Sequence, residues 1–361
     1  MRIGILTGGG DCPGLNAVIR SAVRAATGRH KWEVVGFLNG YKGLVENRFR
    51  PLDSATVSGL LDRGGTIIGT SNVDNPYKFA ETVDGKRSYR DASEDVVRTY
   101  KEHNLGGLIV VGGDGTLGIA RQLYKEKGLN IVGVPKTIDN DLSATDYTFG
   151  FDTAVGIVTD AVDRIKTTAE SHERVMVVEV MGRDTGWIAL FSGLASGAHI
   201  ILIPEIPYDL RHVVTKIYER ATIGKHFCVI LVSEGAKPAG GQVTVKRHVD
   251  DPSMGIRLGG VGNVIAGQIE ELTGIDTRVV TLGHVQRGGT PSSFDRILCT
   301  RLGVEAVNMI ADGKFGMMAC LKTPRIEIVP LEQAAMNRKV NPNDQMIAEA
   351  KACGISFGDG D

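Results

Sequence analysis

Residues Leu108 to Thr116 read Leu-Ile-Val-Val-Gly-Gly-Asp-Gly-Thr, an apolar strand that runs into a glycine-rich turn. Glycines allow positive φ and let backbone N–H groups approach a polyphosphate closely. We predict a helix from about Leu117, whose positive dipole end would face the same ligand, and Asp114 as the residue that holds Mg²⁺ there. A strand-to-helix turn capped by aspartate has the same sequence. From this stretch alone, both interpretations stay open.

The succession of strand and helix continues along the chain. We predict strands at Ile3–Thr7, Glu33–Phe37, Leu108–Val111, Ile131–Val134, Val175–Val180, Ile200–Ile203, Cys228–Val232 and Val279–Leu282. We predict helices at Ala17–Thr27, Leu117–Lys127, Ala154–Thr168, Leu210–Tyr218 and Asn263–Leu272. Such alternation is typical of βαβ units, so the fold class is α/β with mainly parallel sheets, whose ligands bind at the carboxyl ends of strands. The segment from Asn341 onward reads as loosely held.

Composition and charge limit the classes of partner. A length of 361 residues predicts two domains or one large interleaved unit. The 47 glycines are nearly twice the usual share of about 7 %, which indicates many turns close to ligands. A formal net charge of −1 provides no general basic field, so neither nucleic acid nor a membrane is expected as partner.

Cysteine usage and the first residues predict a cytoplasmic protein. The five cysteines are scattered and form no Cys-x-x-Cys pair, so neither a disulfide framework nor a zinc site is indicated. The opening Met-Arg-Ile-Gly-Ile-Leu-Thr reads as a strand entering a core and lacks the apolar region of a signal peptide. No apolar run approaches the ~18 residues needed to span a bilayer.

A second candidate phosphate site is the turn Gly8–Asn16, which reads Gly-Gly-Gly-Asp-Cys-Pro-Gly-Leu-Asn after the first predicted strand. It does not match Gly-x-Gly-x-x-Gly, and the chain contains no Gly-x-x-x-x-Gly-Lys-Ser/Thr, which weakens dinucleotide binding and P-loop chemistry. Two glycine turns on strands of one sheet could hold a polyphosphate between them. Their joint occurrence therefore favours a phosphate site more than either turn alone.

The segment Pro135-Lys136-Thr137-Ile138-Asp139-Asn140-Asp141 combines two carboxylates, an amide, a hydroxyl and an ammonium in one turn. A hydroxyl that accepts a phosphoryl group loses its proton as it attacks, and a nearby carboxylate is the usual base. Asp139 or Asp141 could act as that base, while Lys136 and Mg²⁺ would neutralise the developing charge. A solvated turn of the kind that Asn and Asp favour is the alternative.

Arginines flank two of the predicted strands. Arg174 precedes and Arg183 follows the strand Val175–Val180, while Arg278 precedes and Arg287 follows the strand Val279–Leu282. Arginine binds phosphate with two parallel hydrogen bonds, so these four residues suggest a second phosphate site for an acidic substrate. A single arginine at a strand end is more often part of a surface ion pair.

With these motifs in place, the chain resembles the 6-phosphofructokinases of the bacterial type over nearly its whole length. The resemblance implies Mg²⁺-assisted transfer of a phosphoryl group from ATP to the 1-hydroxyl of fructose 6-phosphate. It implies catalytic roles for Asp139 as general base, Thr137 and Arg183. The implied donor-binding residues are Gly10, Gly113, Asp114, Gly115, Thr116 and Lys136, with Asp114 serving the metal. The implied substrate-binding residues are Thr137, Ile138, Asp139, Arg174, Met181, Gly182, Arg183, Glu234, Arg278, His284, Val285, Gln286 and Arg287.

The resemblance also implies an architecture and an assembly. Two Rossmann-like domains would enclose the active site in the cleft between them, with residues 1–149 and about 286–336 in the donor domain. Residues of about 150–285 and 337–361 would form the sugar-phosphate domain. Arg174 and Arg278 would reach the 6-phosphate across a subunit interface, which implies a homodimer or homotetramer with shared sites.

Three departures from the family pattern concern the donor and regulation. The usual arginine after Gly-Thr-x-x-Gly-Ser has no match in Gly69–Lys78, where Lys78 is a candidate substitute. Ser54 and His199 stand where the family has residues of its allosteric effector site. The resemblance therefore does not imply allosteric regulation of this chain. Pyrophosphate-using relatives carry aspartate at the position of Gly115, where it blocks an α-phosphate, and lysine at the position of Lys136. The chain combines glycine with lysine, which resembles the mixed-substrate subgroup and favours ATP on steric grounds.

Other functions share parts of this sequence pattern. A reversible pyrophosphate-dependent phosphofructokinase is the main alternative. NAD kinases and lipid kinases share the Gly-Gly-Asp-Gly-Thr turn but have no match to the segments around Asp139, Arg183 and Arg287. A non-catalytic sugar-phosphate-binding subunit should lack the metal aspartate, the base or the sugar-binding residues, and this chain keeps all three.

Overall fold

The computed structural model describes residues 1–83, 86–248, 256–334 and 336–360. The strands are β1 Arg2–Thr7, β2 Glu33–Phe37, β3 Phe49–Leu52, β4 Phe79–Val83, β5 Lys86–Arg90, β6 Leu105–Gly112, β7 Ile131–Pro135, β8 Val175–Val180, β9 Ile200–Leu202, β10 Cys228–Ser233, β11 Val245–His248, β12 Ile256–Leu258, β13 Thr277–Thr281, β14 Met317–Lys322 and β15 Arg325–Pro330. The α-helices are α1 Leu15–Arg29, α2 Tyr41–Val45, α3 Ser93–Glu102, α4 Asp114–Lys127, α5 Phe151–Ser171, α6 Trp187–Ser196, α7 Leu210–Thr222, α8 Val261–Thr273, α9 Ser293–Ala311, α10 Leu331–Ala334 and α11 Gln345–Ala352. Residues Gly283–Arg287 form a short 3₁₀ helix.

The chain divides into two compact units, each assembled from separate segments. Unit 1 contains Met1–Ile138, Leu142–Asp152 and Arg287–Asn337. Unit 2 contains Asp139–Asp141, Thr153–Gln286 and Arg338–Asp361. The assignment of the donor to one domain and of the sugar phosphate to the other stays a prediction.

Unit 1 is built on a seven-stranded sheet with the strand order β15-β14-β7-β6-β1-β2-β3. The central strands β2, β1, β6, β7 and β14 run parallel, and the edge strands β3 and β15 run antiparallel to their neighbours. Strands β6 and β7 are almost wholly buried, as expected for a parallel sheet covered on both faces. Because β1, β6 and β7 are adjacent, the segments that follow them share one edge of the sheet.

Unit 2 is built on a smaller sheet with the order β13-β8-β10-β9, in which every pair is parallel. Its apolar core includes residues of β8, β9, β10, α7 and α8, and Val279 of β13 packs against it. Strands β8 and β10 are fully buried, which explains their apolar character apart from Glu179 and Ser233. The segments after β8, β10 and β13 therefore lie at one edge of this sheet, and Arg174 and Asp276 lie at the other.

The structure confirms the predicted α/β class with mainly parallel sheets, and every predicted strand and helix has a counterpart. Some details were wrong. Helix α4 begins at Asp114 and not near Leu117, because Gly113 is extended and its carbonyl already accepts from the Leu117 N–H at 2.9 Å. Strand β13 begins at Thr277, two residues earlier than predicted, since its pairing with β8 begins at Val175.

The segment after Asn341 is also more ordered than predicted. It contains helix α11, and the Phe357 ring is fully buried. The backbone of Ser356 extends the sheet of unit 2 by a bridge to Ile200, and the Val340 N–H donates to Glu205 Oε1 at 2.9 Å. Within the part of the chain that the structure describes, no helix has both the length and the apolar character that crossing a bilayer requires.

Candidate active site

The first glycine turn in unit 1 is fixed by the segment Gly69–Ser71. The Gly9 N–H donates to the Ser71 carbonyl at 2.8 Å, and Thr70 Oγ1 donates to the Gly9 carbonyl at 2.6 Å. Gly9 has a φ of +79°, a conformation in which a residue with a side chain would be strained. This turn therefore has a defined shape before any ligand binds. Thr70 and Ser71, in the segment where the family's usual arginine has no match, thus support the turn.

Thr116 packs between the two glycine turns of unit 1. A Cβ atom at Gly8 would lie 2.6 Å from the Thr116 side chain, so glycine is required for this close approach. The Thr116 carbonyl accepts a hydrogen bond of 2.8 Å from the hydroxyl of Tyr41, and the Thr116 residue is buried. The predicted donor residue Thr116 thus fixes the spacing between the turns.

The start of helix α4 presents Asp114 and Gly115. Asp114 is half-buried and Gly115 is exposed. A Cβ atom built on Gly115 would meet nothing within 4 Å, whereas the Cβ position of Gly113 lies 3.3 Å from the Lys136 carbonyl. Gly115 therefore faces open space at the positive end of a helix, where an anionic ligand is stabilised.

Two cations contact consecutive carbonyls of the first glycine turn. The buried Lys136 donates from Nζ to the Gly10 carbonyl at 2.6 Å. Arg287 donates from Nη1 to the Asp11 carbonyl at 3.2 Å. Arg287 lies in unit 1, and its predicted contact with the sugar phosphate stays a prediction. The pair supplies positive charge where a phosphate would bind.

The same turn contains Cys12, whose Sγ donates to the Phe149 carbonyl at 3.3 Å. Burial raises the pKa of the Cys12 thiol far above its usual range, and the Lys136 charge opposes this effect only in part. The residue is therefore a neutral thiol at physiological pH. It packs the turn against the core and does not act as a nucleophile.

Thr137 and Ile138 are the last residues of unit 1 before Asp139, the predicted general base. The Thr137 carbonyl accepts from Thr148 Oγ1 at 2.8 Å. Thr137 is nearly buried and the Ile138 side chain is wholly buried. Ile138 thus contributes packing in this structure, and its predicted substrate contact stays a prediction.

Asp139 belongs to unit 2 and is buried at 9 % exposure. Its carbonyl accepts from Thr185 Oγ1 at 3.2 Å, and the next residue, Asn140, has a φ of +50°. The Asp141 carbonyl accepts from the Arg338 N–H at 2.6 Å. This turn is held on both sides and includes a left-handed residue, which is common at functional sites.

The loop after β8 is arranged around Glu234, which follows β10. The Arg183 N–H donates to Glu234 Oε1 at 3.2 Å. Gly182 has a φ of +148°, which glycine adopts readily, and Arg183 has a φ of +51°, so the backbone is strained at Arg183. The Arg183 side chain is 69 % exposed, and its Nε lies 3.5 Å from Asp184 Oδ2. A guanidinium this accessible is available to a ligand.

Gln286 connects the two loops at this edge of unit 2. Its Oε1 accepts from the Met181 N–H at 3.3 Å, and its Nε2 donates to the Gly283 carbonyl at 3.0 Å. The Gln286 side chain is fully buried, while His284 and Val285 beside it are exposed. Gln286 therefore holds the loop after β8 and the 3₁₀ helix together. Of His284, Val285 and Gln286, only His284 has an exposed polar side chain that a sugar could contact.

Arg174 and Arg278 lie at the opposite edge of the unit 2 sheet from Arg183. Arg174 immediately precedes β8, whereas Arg183 follows it, and β8 has six residues or about 20 Å of extended chain. Arg278 lies inside β13 and not before it. Within unit 2, Arg174 and Arg278 are thus not brought together with Arg183, contrary to the prediction of one phosphate site. Arg174 and Arg278 both pair with Asp276, a residue that the sequence analysis did not single out.

A comparison with known families identifies the family to which this geometry belongs. The family model for phosphofructokinase matches residues 2–310. The chain belongs to the phosphofructokinase family. This confirms the resemblance inferred from the glycine turns and from the segments around Asp139 and Arg183.

Relatives of this phosphofructokinase have names that differ in the phosphoryl donor. It is 50 % identical to "ATP-dependent 6-phosphofructokinase 2" of Clostridium perfringens over 99 % of this chain and 98 % of the relative. It is 49 % identical to the "Pyrophosphate--fructose 6-phosphate 1-phosphotransferase" of Amycolatopsis methanolica over 96 % of this chain and 97 % of the relative. Overall identity therefore does not decide the donor.

Solved structures agree with the fold of this phosphofructokinase. The structure of phosphofructokinase from Saccharomyces cerevisiae superposes with a TM-score of 0.77 at 30 % identity and covers 99 % of this chain. This chain spans about half of the yeast chain, or 48 % of its length.

Proposed function

We propose that this phosphofructokinase transfers a phosphoryl group from ATP to the 1-hydroxyl of fructose 6-phosphate in glycolysis. The products are fructose 1,6-bisphosphate and ADP. The observation that carries the choice of donor is Gly115, which has no side chain and faces open space at the start of α4. Next to Asp114 and the glycine turns, that space admits the α-phosphate of a nucleotide.

In the proposed reaction, a bond forms between the sugar O1 and the γ-phosphorus while the bond from that phosphorus to the β-phosphate bridging oxygen breaks. Asp139 accepts the proton of the 1-hydroxyl. Arg183 and Lys136 offset the negative charge that spreads over the transferring group, and Thr137 contacts the acceptor. The pre-shaped glycine turns orient the donor with little reorganisation, because Thr70, Ser71 and Thr116 already fix them.

The residues at the start of α4 fit a bound Mg²⁺. Among the described residues, no group of three or more His, Cys, Asp or Glu side chains is arranged to hold a metal alone. Mg²⁺ commonly binds through one or two carboxylates together with substrate phosphates and water, so Asp114 with a polyphosphate would suffice. When bound, the ion would neutralise phosphate charge and polarise the phosphoryl oxygens.

A pyrophosphate-dependent, reversible phosphofructokinase is the second candidate. Lys136 is compatible with it, since an ammonium fixed at the first glycine turn can bind the phosphates of either donor. The relative from Amycolatopsis methanolica carries a pyrophosphate-dependent name at 49 % identity. The open position at Gly115 makes ATP the stronger proposal.

We also propose a cytoplasmic homodimer or homotetramer in which Arg174 and Arg278 serve a partner's site. Both arginines lie at the amino ends of their strands in unit 2, away from the edge that carries Arg183 and Glu234. Sharing between copies would allow both edges to contribute to sugar-phosphate binding. Sedimentation velocity would give the oligomeric state directly.

A direct assay tests the proposed donor and acceptor. Purified protein is given fructose 6-phosphate with either MgATP or magnesium pyrophosphate, and fructose 1,6-bisphosphate is measured. We expect a higher kcat/KM with MgATP. A higher value with pyrophosphate would reverse the donor assignment, and no product with either donor would refute the proposed function.

A further inference from the structure

Asp276 bridges two arginines from neighbouring strands of unit 2. Its Oδ2 lies 2.5 Å from Arg174 Nε, and its Oδ1 lies 2.8 Å from Arg278 Nη2. Each carboxylate oxygen thus binds a different guanidinium. One carboxylate therefore sets the positions of both cationic side chains relative to each other.

The backbone beneath this cluster is firmly held. The Val175 N–H donates to the Asp276 carbonyl at 3.1 Å, and the Cys228 N–H donates to the Arg174 carbonyl at 3.1 Å. Arg278 pairs with Met176 across the parallel ladder of β8 and β13. The three side chains consequently start from fixed positions, and only their own rotamers are left to be ordered.

Charge and exposure make the cluster suitable for an anion. Two guanidinium groups and one carboxylate carry a net charge of about +1 at neutral pH. The side chains are partly open to solvent, with exposures of 33 % for Arg174, 57 % for Arg278 and 36 % for Asp276. A guanidinium has five N–H donors, more than one carboxylate oxygen can engage, so donors remain for a phosphate.

We propose that Asp276 is a positioning residue that holds Arg174 and Arg278 as one preformed pair for a phosphate monoester. The carboxylate offsets the repulsion between the guanidinium groups and fixes their spacing before the ligand arrives, which lowers the ordering cost of binding. The ligand class is the 6-phosphate of the sugar substrate, an assignment that rests on the proposed function and on its shared sites.

The first test is the isosteric variant Asp276→Asn. We expect KM for fructose 6-phosphate to rise about 10-fold, with kcat and KM for MgATP within about twofold of wild type, because arginine ordering affects sugar-phosphate binding and not the chemical step. The matched control is Asp160→Asn on helix α5 of the same unit. It removes an exposed ion pair in which Asp160 Oδ2 lies 2.8 Å from Arg164 Nε. The control should leave all three constants unchanged.

A double-mutant cycle separates positioning from a general structural role. Arg174→Ala with Arg278→Ala should raise KM for fructose 6-phosphate, and adding Asp276→Asn to that background should raise it no further. A structural role would give an additive increase. An additive result, an unchanged KM or a lower KM in Asp276→Asn would overturn the inference.

A second variant covers the case in which Asp276→Asn does not fold. Asp276→Glu keeps the charge and should give a smaller KM increase, which again should vanish in the double-arginine background. An increase that persists there would overturn the inference. Wild-type protein is assayed alongside, since its inactivity on fructose 6-phosphate would refute the proposed function, whereas an active wild type with unaffected Asp276 variants would refute this inference alone.

Discussion

Lys136 Nζ donates a hydrogen bond of 2.6 Å to the carbonyl oxygen of Gly10. The lysine follows β7 and the glycine follows β1, and β6 lies between these strands in the sheet. The ammonium is buried, and it also lies where a Cβ atom on Gly9 would approach it to 2.9 Å. Lys136 thus fixes the donor turn in addition to supplying charge.

This dual role predicts how Lys136→Met behaves. Loss of a charge-assisted hydrogen bond costs about 1.5–3 kcal/mol, so kcat/KM should fall about 10- to 100-fold with MgATP and with pyrophosphate alike. Steady-state kinetics with each donor would measure this. A decrease confined to one donor would show that Lys136 selects the donor and does not merely shape the turn.

Gly115→Asp should remove ATP use without unfolding the protein. The new Cβ atom would meet nothing within 4 Å, so the fold has room for the side chain, while the carboxylate would repel an α-phosphate. We expect kcat/KM for MgATP to fall at least ~100-fold. The control Gly156→Asp, also in a helix with open space around it, should keep wild-type kinetics. Retained ATP use in Gly115→Asp would refute the steric argument.

Asp139→Asn tests the proposed general base. The substitution keeps the shape of the side chain and removes its ability to accept a proton, so kcat should fall by ~10²–10⁴ with little change in KM for fructose 6-phosphate. Asp163→Asn, on the exposed face of helix α5, serves as the control for replacing a carboxylate. A kcat close to wild type would exclude Asp139 as the base.

His199 predicts a dependence of stability on pH. Its Nδ1 accepts a hydrogen bond of 2.9 Å from the Val229 N–H. Burial, assisted by the charges of Arg220, Lys166 and Lys216, lowers its pKa from 6.5 to about 3. The unfolded chain therefore binds a proton that the folded protein does not. The resulting stability is complete above pH 6.5 and is lost as the pH falls toward 3.

Urea unfolding between pH 7.0 and 5.5 would measure this effect. We expect a loss of at most about 1 kcal/mol, since one unit of pKa corresponds to about 1.4 kcal/mol and partial exposure of the ring reduces it. His199→Asn should flatten the dependence, while His226→Asn, at an exposed position of the same unit, should not. Equal slopes in wild type and His199→Asn would contradict the assignment.

Local sequence patterns predict much of the fold because the central strands are apolar runs that end in glycine turns. Leu105–Gly112 and Ile131–Pro135 are examples, and their carboxyl ends carry the predicted donor residues. Helix α9 was missed, since its apolar residues do not form one stripe. It packs closely on helix α1, where Ser21 Oγ donates to the Cys299 carbonyl at 3.2 Å.

The arrangement of the site depends on contacts that no local pattern encodes. Thr70 reaches the Gly9 carbonyl from 61 residues away, and Arg287 reaches Asp11 across 276 residues. Arg174 and Arg183 lie at opposite edges of the sheet because one precedes and the other follows β8. The predicted strand already implied this separation. The Asp276 pairing had a readable signal as well, because Asp276 and Arg278 are two residues apart and share one face of extended chain.

The packing of Ser356 and Phe357 into unit 2 has a consequence for biosynthesis. The sheet of unit 1 ends with β15, at Pro330, and can assemble while Ser356 and Phe357 are still in the ribosome. Strand β9 of unit 2 pairs with β10 on one side, and its other side gains a backbone partner only when Ser356 has emerged. Until then the outer edge of β9 stays unpaired and can be bound by chaperones, although most residues of unit 2 are made before β14 and β15.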